Sequence, residues 1–150
     1  MLKKVTLTSD GACLGNPGPG GWAALLRFGP HEKLMSGGEP DTTNNRMELK
    51  AVIEGLRCLT ERCQVLIVTD SQYVMKAFSE GWYANWLRNG WRTADRKPVK
   101  NKDLWEDLQT EIERHEVQWK WVKGHAGHED NERVDVAARE AAEAVSMGKS

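Results

Sequence analysis

The 150-residue chain is 39% hydrophobic and 29% charged, with a formal net charge of −1, a balance that fits a globular protein and excludes a disordered or low-complexity one. No apolar run approaches the roughly 18 residues of a membrane span, and the opening MLKKVTLTSD has no apolar signal-peptide core. The three cysteines, Cys13, Cys58 and Cys63, lack zinc-site spacing and read as reduced thiols, so a cytoplasmic protein of one domain over residues 1–150 is expected.

Residues 3–10 alternate, with Val5 and Leu7 on one side and Thr6, Thr8 and Asp10 on the other, which predicts a strand. GNPGPGG (15–21) reads as a turn; it lacks the phosphate-loop pattern GxxxxGK[ST] and precedes a strand, so it is expected to be a hairpin connection. WAALLRF and EKLMS read as two more strands, making the first 40 residues an antiparallel meander. After DTTNN, Leu49, Val52, Ile53, Leu56 and Leu59 recur at helical spacing. CQVLIVTDSQYV (63–74) holds the most apolar strand, expected to be buried on both faces and so interior to a sheet. A short helix from about Ser71 to Ser79 follows, with Val74, Ala77 and Phe78 inward. GWYANWLRNGW predicts another helical turn or two running into a basic loop, and Asn101 is placed as the N-cap of a helix carrying Leu104, Trp105, Leu108 and Ile112. VQWKW is a strand and GHAGHEDN a loop; Val134, Ala138, Ala141 and Val145 stripe a last helix.

The modest net charge conceals an asymmetry. Between residues 84 and 102, Arg88, Arg92, Arg96, Lys97, Lys100 and Lys102 are opposed only by Asp95, while residues 129–143 are largely acidic. Of the seven tryptophans, Trp22, Trp82, Trp105, Trp119 and Trp121 read as core or sheet surface. Trp86 and Trp91, interleaved with the basic residues, fit a nucleic-acid-contacting ridge better.

These elements make a mixed α/β sheet in which the first strand neighbours the fourth across a helical crossover, bringing Asp10 and Asp70 side by side about 4.8 Å apart. Two ionised carboxylates there repel; either one takes a proton or a divalent cation relieves them. Each acid also has a plainer reading. Asp70 could cap the following helix, Asp10 could be a strand-to-turn residue, Asn45 to Glu48 fits a capping box, and Asp135 could be a first-turn acid. Taken together, the four converge on the crevice outside the carboxyl edge of the sheet. Such hard oxygen ligands suit Mg²⁺ or Mn²⁺, and two such ions can clamp the attacking and leaving oxygens of a phosphodiester.

Five stretches, TSDGACLGNPGPGGWA, TTNNRMELKAV, VTDSQYV, NWLRNGWRTADRKPVKNKDLW and WVKGHAGHEDNERVDVAA, resemble in wording and order the bacterial type 1 ribonucleases H, over residues 5–144. The resemblance implies a ribonuclease H-like α/β fold, a five-stranded mixed sheet of order 3-2-1-4-5 with strand 2 antiparallel, flanked by helices. It implies a monomeric endonuclease that hydrolyses the RNA strand of RNA/DNA hybrids, leaves 5′-phosphate and 3′-hydroxyl ends, and removes primers and R-loops. Asp10, Glu48, Asp70 and Asp135 match the acids that hold two Mg²⁺ ions, with Mn²⁺ as the alternative metal. His125 matches a histidine that helps proton transfer and product departure; His128 matches nothing and is left as loop. By the same likeness Cys13, Asn16, Asn44, Asn45 and Gln72 border the RNA minor groove, where the 2′-hydroxyl is read. Thr43 and Asn85 match a DNA-phosphate pocket, and the basic segment with Trp86, Arg92, Arg96 and Lys97 matches a protrusion that grips the DNA strand.

The chain departs from the family pattern at Asp41, where an arginine is common, and at Leu87 and Asn89, which are often basic; weaker substrate binding is expected. Two readings from other classes compete. A phosphoacceptor signalling domain would alternate strand and helix from its start, against the N-terminal meander. A hybrid-binding module that has lost catalysis would not keep all four acids.

Overall fold

A computed structural model of the chain describes residues 1–93, 95–123 and 129–148. The meander is β1 (Lys3–Cys13), β2 (Gly18–Phe28) and β3 (His31–Thr42), each antiparallel to the next. After α1 (Asn44–Arg57), β4 (Cys63–Thr69) pairs in parallel with β1. Then α2 (Gln72–Ser79), α3 (Trp82–Arg88) and α4 (Lys102–Glu113) lead to β5 (Glu116–Trp121), parallel to β4, and to α5 (Glu129–Ser146). The sheet order is β3-β2-β1-β4-β5, as expected from the resemblance.

Alternation along the strands divides the core. Val5 and Leu7 of β1 and Ala24 and Leu26 of β2 pack with Leu49, Val52, Ile53 and Leu56 of α1. Ala23 and Leu25 of β2 point to the other side, against Val134 and Ala138 of α5. Gly21 makes that second contact close: a Cβ there would lie 2.6 Å from the Ala142 nitrogen. The expectation that β4 is buried on both faces holds for one. Cys63, Val65, Ile67 and Thr69 are buried, but Gln64, Leu66 and Val68 are half-buried, because α5 packs against β1, β2 and β3 and leaves that side of β4 thinly covered.

Local start signals account for several further differences. The cap of α1 is Thr43, whose hydroxyl accepts the Arg46 N–H at 3.3 Å, so Asn45 lies inside the helix and no Asn45–Glu48 capping box forms. Ser71 caps α2 by accepting the Val74 N–H at 3.2 Å, a role that Asp70 therefore does not fill. The glycine-rich turn is confined to residues 14–17, with Gly18–Gly21 already in β2. Residues 129–131, expected in a loop, open α5, which moves Asp135 into the helix's second turn and removes the first-turn reading.

The basic segment folds back on itself. Arg92 bridges Pro98, the Thr93 N–H donates to the Lys97 carbonyl at 2.8 Å, and the Val99 N–H donates to the Trp91 carbonyl at 3.1 Å. Trp91 and Val99 are buried feet of this hairpin, in the main core. Trp91 is thus no exposed ridge; its indole packs 5.9 Å from Tyr83 and 6.3 Å from Trp86. Trp86 is half-buried, edge-on to Trp105 at 5.1 Å.

Candidate active site

The parallel ladder between β1 and β4 ends at Thr8 opposite Val68. β4 stops at Thr69, but β1 runs on, paired to β2 as far as Cys13. Asp10 therefore lies within a strand held from one side only, paired to Ala23, while Asp70 follows the end of β4. Glu48 enters from α1 and is 5% exposed; Asp10 is 7% exposed. One backbone group organises the two: the Gly11 N–H donates to Glu48 Oε1 at 2.7 Å and to Asp10 Oδ1 at 2.9 Å. Carboxylate oxygens of Asp10, Glu48 and Asp70 all lie within 4.8 Å of one another.

Burial first, and then the Asp10 charge, hold the Glu48 carboxyl well above its usual range. Burial also pushes Asp10 up to about 6; the hydrogen bond with Glu48 opposes this, and the charges of Asp70 and Asp135 add to it. Glu48 Oε2 is buried with no hydrogen-bond partner. Buried like charges, an orphaned oxygen and an all-oxygen donor set fit a hard divalent cation. Asp135 lines the same cleft from α5 but is not one of the three clustered acids; its Oδ2 accepts from Arg139 Nε at 3.2 Å.

The cleft has a volume of about 350 Å³, and Asn44, Asn45 and Gln72 line it beside the four acids. Asn16 is joined to it indirectly: its Oδ1 accepts the Asn44 N–H at 3.0 Å. Cys13 lies nearby, its thiol 3.5 Å from the carbonyls of Gly18 and Thr42. Farther out, Asn85 on α3 accepts a hydrogen bond from Arg88, and Arg92, Arg96 and Lys97 are exposed on the hairpin. His125 and His128 lie outside the described residues.

Sequence reasoning missed Gly11, Ser71 and Tyr73, all lining the cleft. Gly11 had a legible signal, since a glycine inside a strand next to an acid marks close backbone approach. A Cβ there would lie 2.5 Å from the Glu48 nitrogen.

The RNase H family model matches residues 2–143. Ribonuclease H of Thermus thermophilus is 64% identical over 141 residues, covering 94% of this chain and 85% of that one. Ribonuclease H of Bordetella bronchiseptica is 62% identical over 143 residues, covering 95% and 92%. Among solved structures, a type 1 RNase H with the type 2 active-site motif superposes with a TM-score of 0.84 at 33% identity, covering 95% of this chain and 74% of that one.

Proposed function

The chain belongs to the ribonuclease H family, and from that premise we propose how its residues divide the work of hydrolysing RNA in RNA/DNA hybrids. The observation that carries the reading is the cluster of Asp10, Glu48 and Asp70 at the carboxyl edge of the sheet. Those three, with Asp135 from α5, would hold two Mg²⁺ ions, Mn²⁺ being the alternative. Bound there, the ions supply charge neutralisation at the attacking and leaving oxygens and a more acidic water.

The chain's own groups do the rest. The Gly11 N–H orients Glu48 and Asp10 at once, and the packing of α1 against β1 holds those two acids together. Asn44, Asn45 and Gln72, with Cys13 and Asn16 beside them, border the RNA strand and read its 2′-hydroxyl. Thr43 accepts the Arg46 N–H as a helix cap, which leaves its own O–H to donate to a DNA phosphate alongside Asn85. Arg92, Arg96 and Lys97 grip the DNA backbone, with Trp86 behind them. His125 moves a proton near the leaving group. Cleavage leaves 5′-phosphate and 3′-hydroxyl ends, and the cellular work is removal of primers and R-loops by a cytoplasmic, single-domain monomer.

The test is cleavage of one end-labelled RNA presented as hybrid, as single strand and within duplex RNA, with Mg²⁺, with Mn²⁺ and with EDTA. Endonucleolytic products from the hybrid alone, lost in EDTA, are expected. Binding of the hybrid without cleavage under either metal would favour a silent binding module. Cleavage that survives EDTA would remove the acids from the chemistry.

A further inference from the structure

Asn101 occupies the N-cap position of α4, yet no helix N–H is bonded to its side chain. Its backbone is left-handed, at φ 62°, a conformation that asparagine tolerates better than most side-chain-bearing residues. The amide is used sideways instead. Nδ2 donates to the Tyr73 hydroxyl at 3.1 Å, and Oδ1 accepts from Arg46 Nη1 at 3.3 Å. Arg46 is further clamped by Asp103 through bonds of 3.0 and 2.7 Å. The Tyr73 hydroxyl also accepts from the Trp105 indole nitrogen at 2.9 Å.

The partners lie on α1 and α2, two of the three helices that carry cleft residues. Arg46 stands between Asn45 and Glu48 on α1, and Tyr73 follows Gln72 on α2. The Asn101 carbonyl meanwhile accepts the N–H groups of Leu104 and Trp105, each at 3.0 Å, and so starts α4. Two residues upstream is Val99, a buried foot of the basic hairpin. One amide thus joins the root of the hairpin to α1 and α2, which both carry residues lining the cleft. We infer that Asn101 is a positioning residue for the reaction: it fixes where Arg92, Arg96 and Lys97 stand relative to the acids, so that DNA-strand contacts and the scissile phosphate are presented in register. This rests on the reading of the hairpin as the grip on the DNA strand.

Asn101→Gly tests it, because glycine accepts the left-handed backbone while losing both side-chain links. In the otherwise unaltered protein, KM for a hybrid should rise roughly 3- to 10-fold, the factor that corresponds to about one net hydrogen bond, with kcat within about twofold. The dependence of log KM on log salt should flatten, since phosphate contacts are weakened. In a background where Arg92, Arg96 and Lys97 are already alanine, Asn101→Gly should raise KM no further, because its effect passes through those side chains. Tyr73→Phe, which removes one of the two links without touching the Asn101 backbone, should raise KM in the same direction by a smaller factor and likewise only where the three cations are present, and that dependence on background decides the matter if the glycine variant does not fold. A lowered melting temperature with unchanged KM overturns the inference, as does an equal KM rise in both backgrounds. If the triple alanine variant raises KM and neither Asn101→Gly nor Tyr73→Phe does, only this inference falls. If the triple variant itself leaves KM and the salt slope unchanged, the reading of the hairpin falls with it.

Discussion

In the cleft, Asp10 and Glu48 are buried against a sheet and a helix, whereas on the hairpin Arg92, Arg96 and Lys97 are exposed on a short backbone segment rooted in the core by Trp91 and Val99. Both regions gather like charges, but under different physics. Asp10 and Glu48 have lost most of their water, so their repulsion is weakly screened, and the packing of α1 on β1 with the shared Gly11 N–H keeps them together. The hairpin's cations sit in solvent, where 0.15 M salt screens charges over about 8 Å, and crowding them costs little. Positional accuracy therefore comes with electrostatic frustration in the cleft, and the proposed grip is assembled from screened contacts on a small exposed element. Changes in the cleft should move stability and turnover together; changes in the hairpin should move chiefly affinity and its salt dependence.

Asp10→Asn should produce the largest effect and test the first half of that contrast. On the proposed reading, losing a metal-holding charge should abolish cleavage, as should Asp70→Asn, while hybrid binding survives because the proposed phosphate contacts lie elsewhere. Without metal, Asp10→Asn should also stabilise the fold. The folded carboxyl lies at about 6 against an ordinary 3.8. A raised acid contributes its stability in full below about 3.8 and loses it as pH rises through about 6. Wild type in EDTA should therefore fall relative to the variant between those values, with a gap of about 1–3 kcal/mol at neutral pH. Thermal unfolding from pH 4 to 8 measures it, and added Mg²⁺ should close the gap. Parallel pH profiles for the two proteins would mean that the acids are not frustrated at all.

Gly11→Ala probes the same region through packing. The new methyl would meet the Glu48 nitrogen at 2.5 Å and the Met47 carbonyl carbon at 2.6 Å, both backbone atoms, so α1 must move off β1. A destabilisation of about 1–3 kcal/mol is expected, and a shift of the Glu48 carboxylate should slow turnover roughly 10²-fold. Chemical denaturation and single-turnover rates check the two effects. A stable variant with normal turnover would show the cleft to be more tolerant than its burial indicates.

The same contrast explains what could be read from residue order. Alternation marked β1 and β5, the runs WAALLRF, EKLMS and VLIV marked β2 to β4, and the crossover then set Asp10 beside Asp70. Helix starts were harder. Thr43 and Asn45 are both competent caps within one turn, and the structure uses Thr43, which accepts the Arg46 N–H. Asp135 was placed a turn too early because Glu129 and Asp130 read equally well as loop or helix. Trp91 was misread because its left-handed backbone, at φ 63°, breaks the periodicity by which a buried aromatic is recognised. The half-open side of β4 depends on where α5 crosses the sheet, which no window of β4 contains.

Replacing Arg92, Arg96 and Lys97 with alanine sharpens the second half. KM should rise more than kcat falls, and the salt slope should drop by about one unit for each phosphate that is no longer neutralised. The pH–stability profile of the metal-free protein should stay that of wild type. Initial rates at several salt concentrations, with unfolding curves alongside, are sufficient; an unchanged slope would reduce the hairpin to a solvated surface.

The smallest effect is expected at Asp41, where the two regions come closest in character: an exposed charge beside the cleft rather than within it. Thr43 provides the cap of α1, so Asp41 is not retained for that purpose. It stands exposed near the end of β3, two residues before Thr43. Burial first, and the Asp41 charge after it, push the Cys13 thiol up, which places that charge within reach of the groove border. A phosphate bound by Thr43 would meet the same field with the same sign. Asp41→Asn should remove the repulsion, and Asp41→Arg should add an attraction. Because the site is exposed, each step is worth only about 0.2–1 kcal/mol, so KM for a hybrid should fall by a few-fold over the two steps at low salt. The gain should shrink as salt rises, unlike any change caused by repacking. An Asp41→Arg protein with native circular dichroism and an unimproved KM at low salt would show that no phosphate docks beside Thr43.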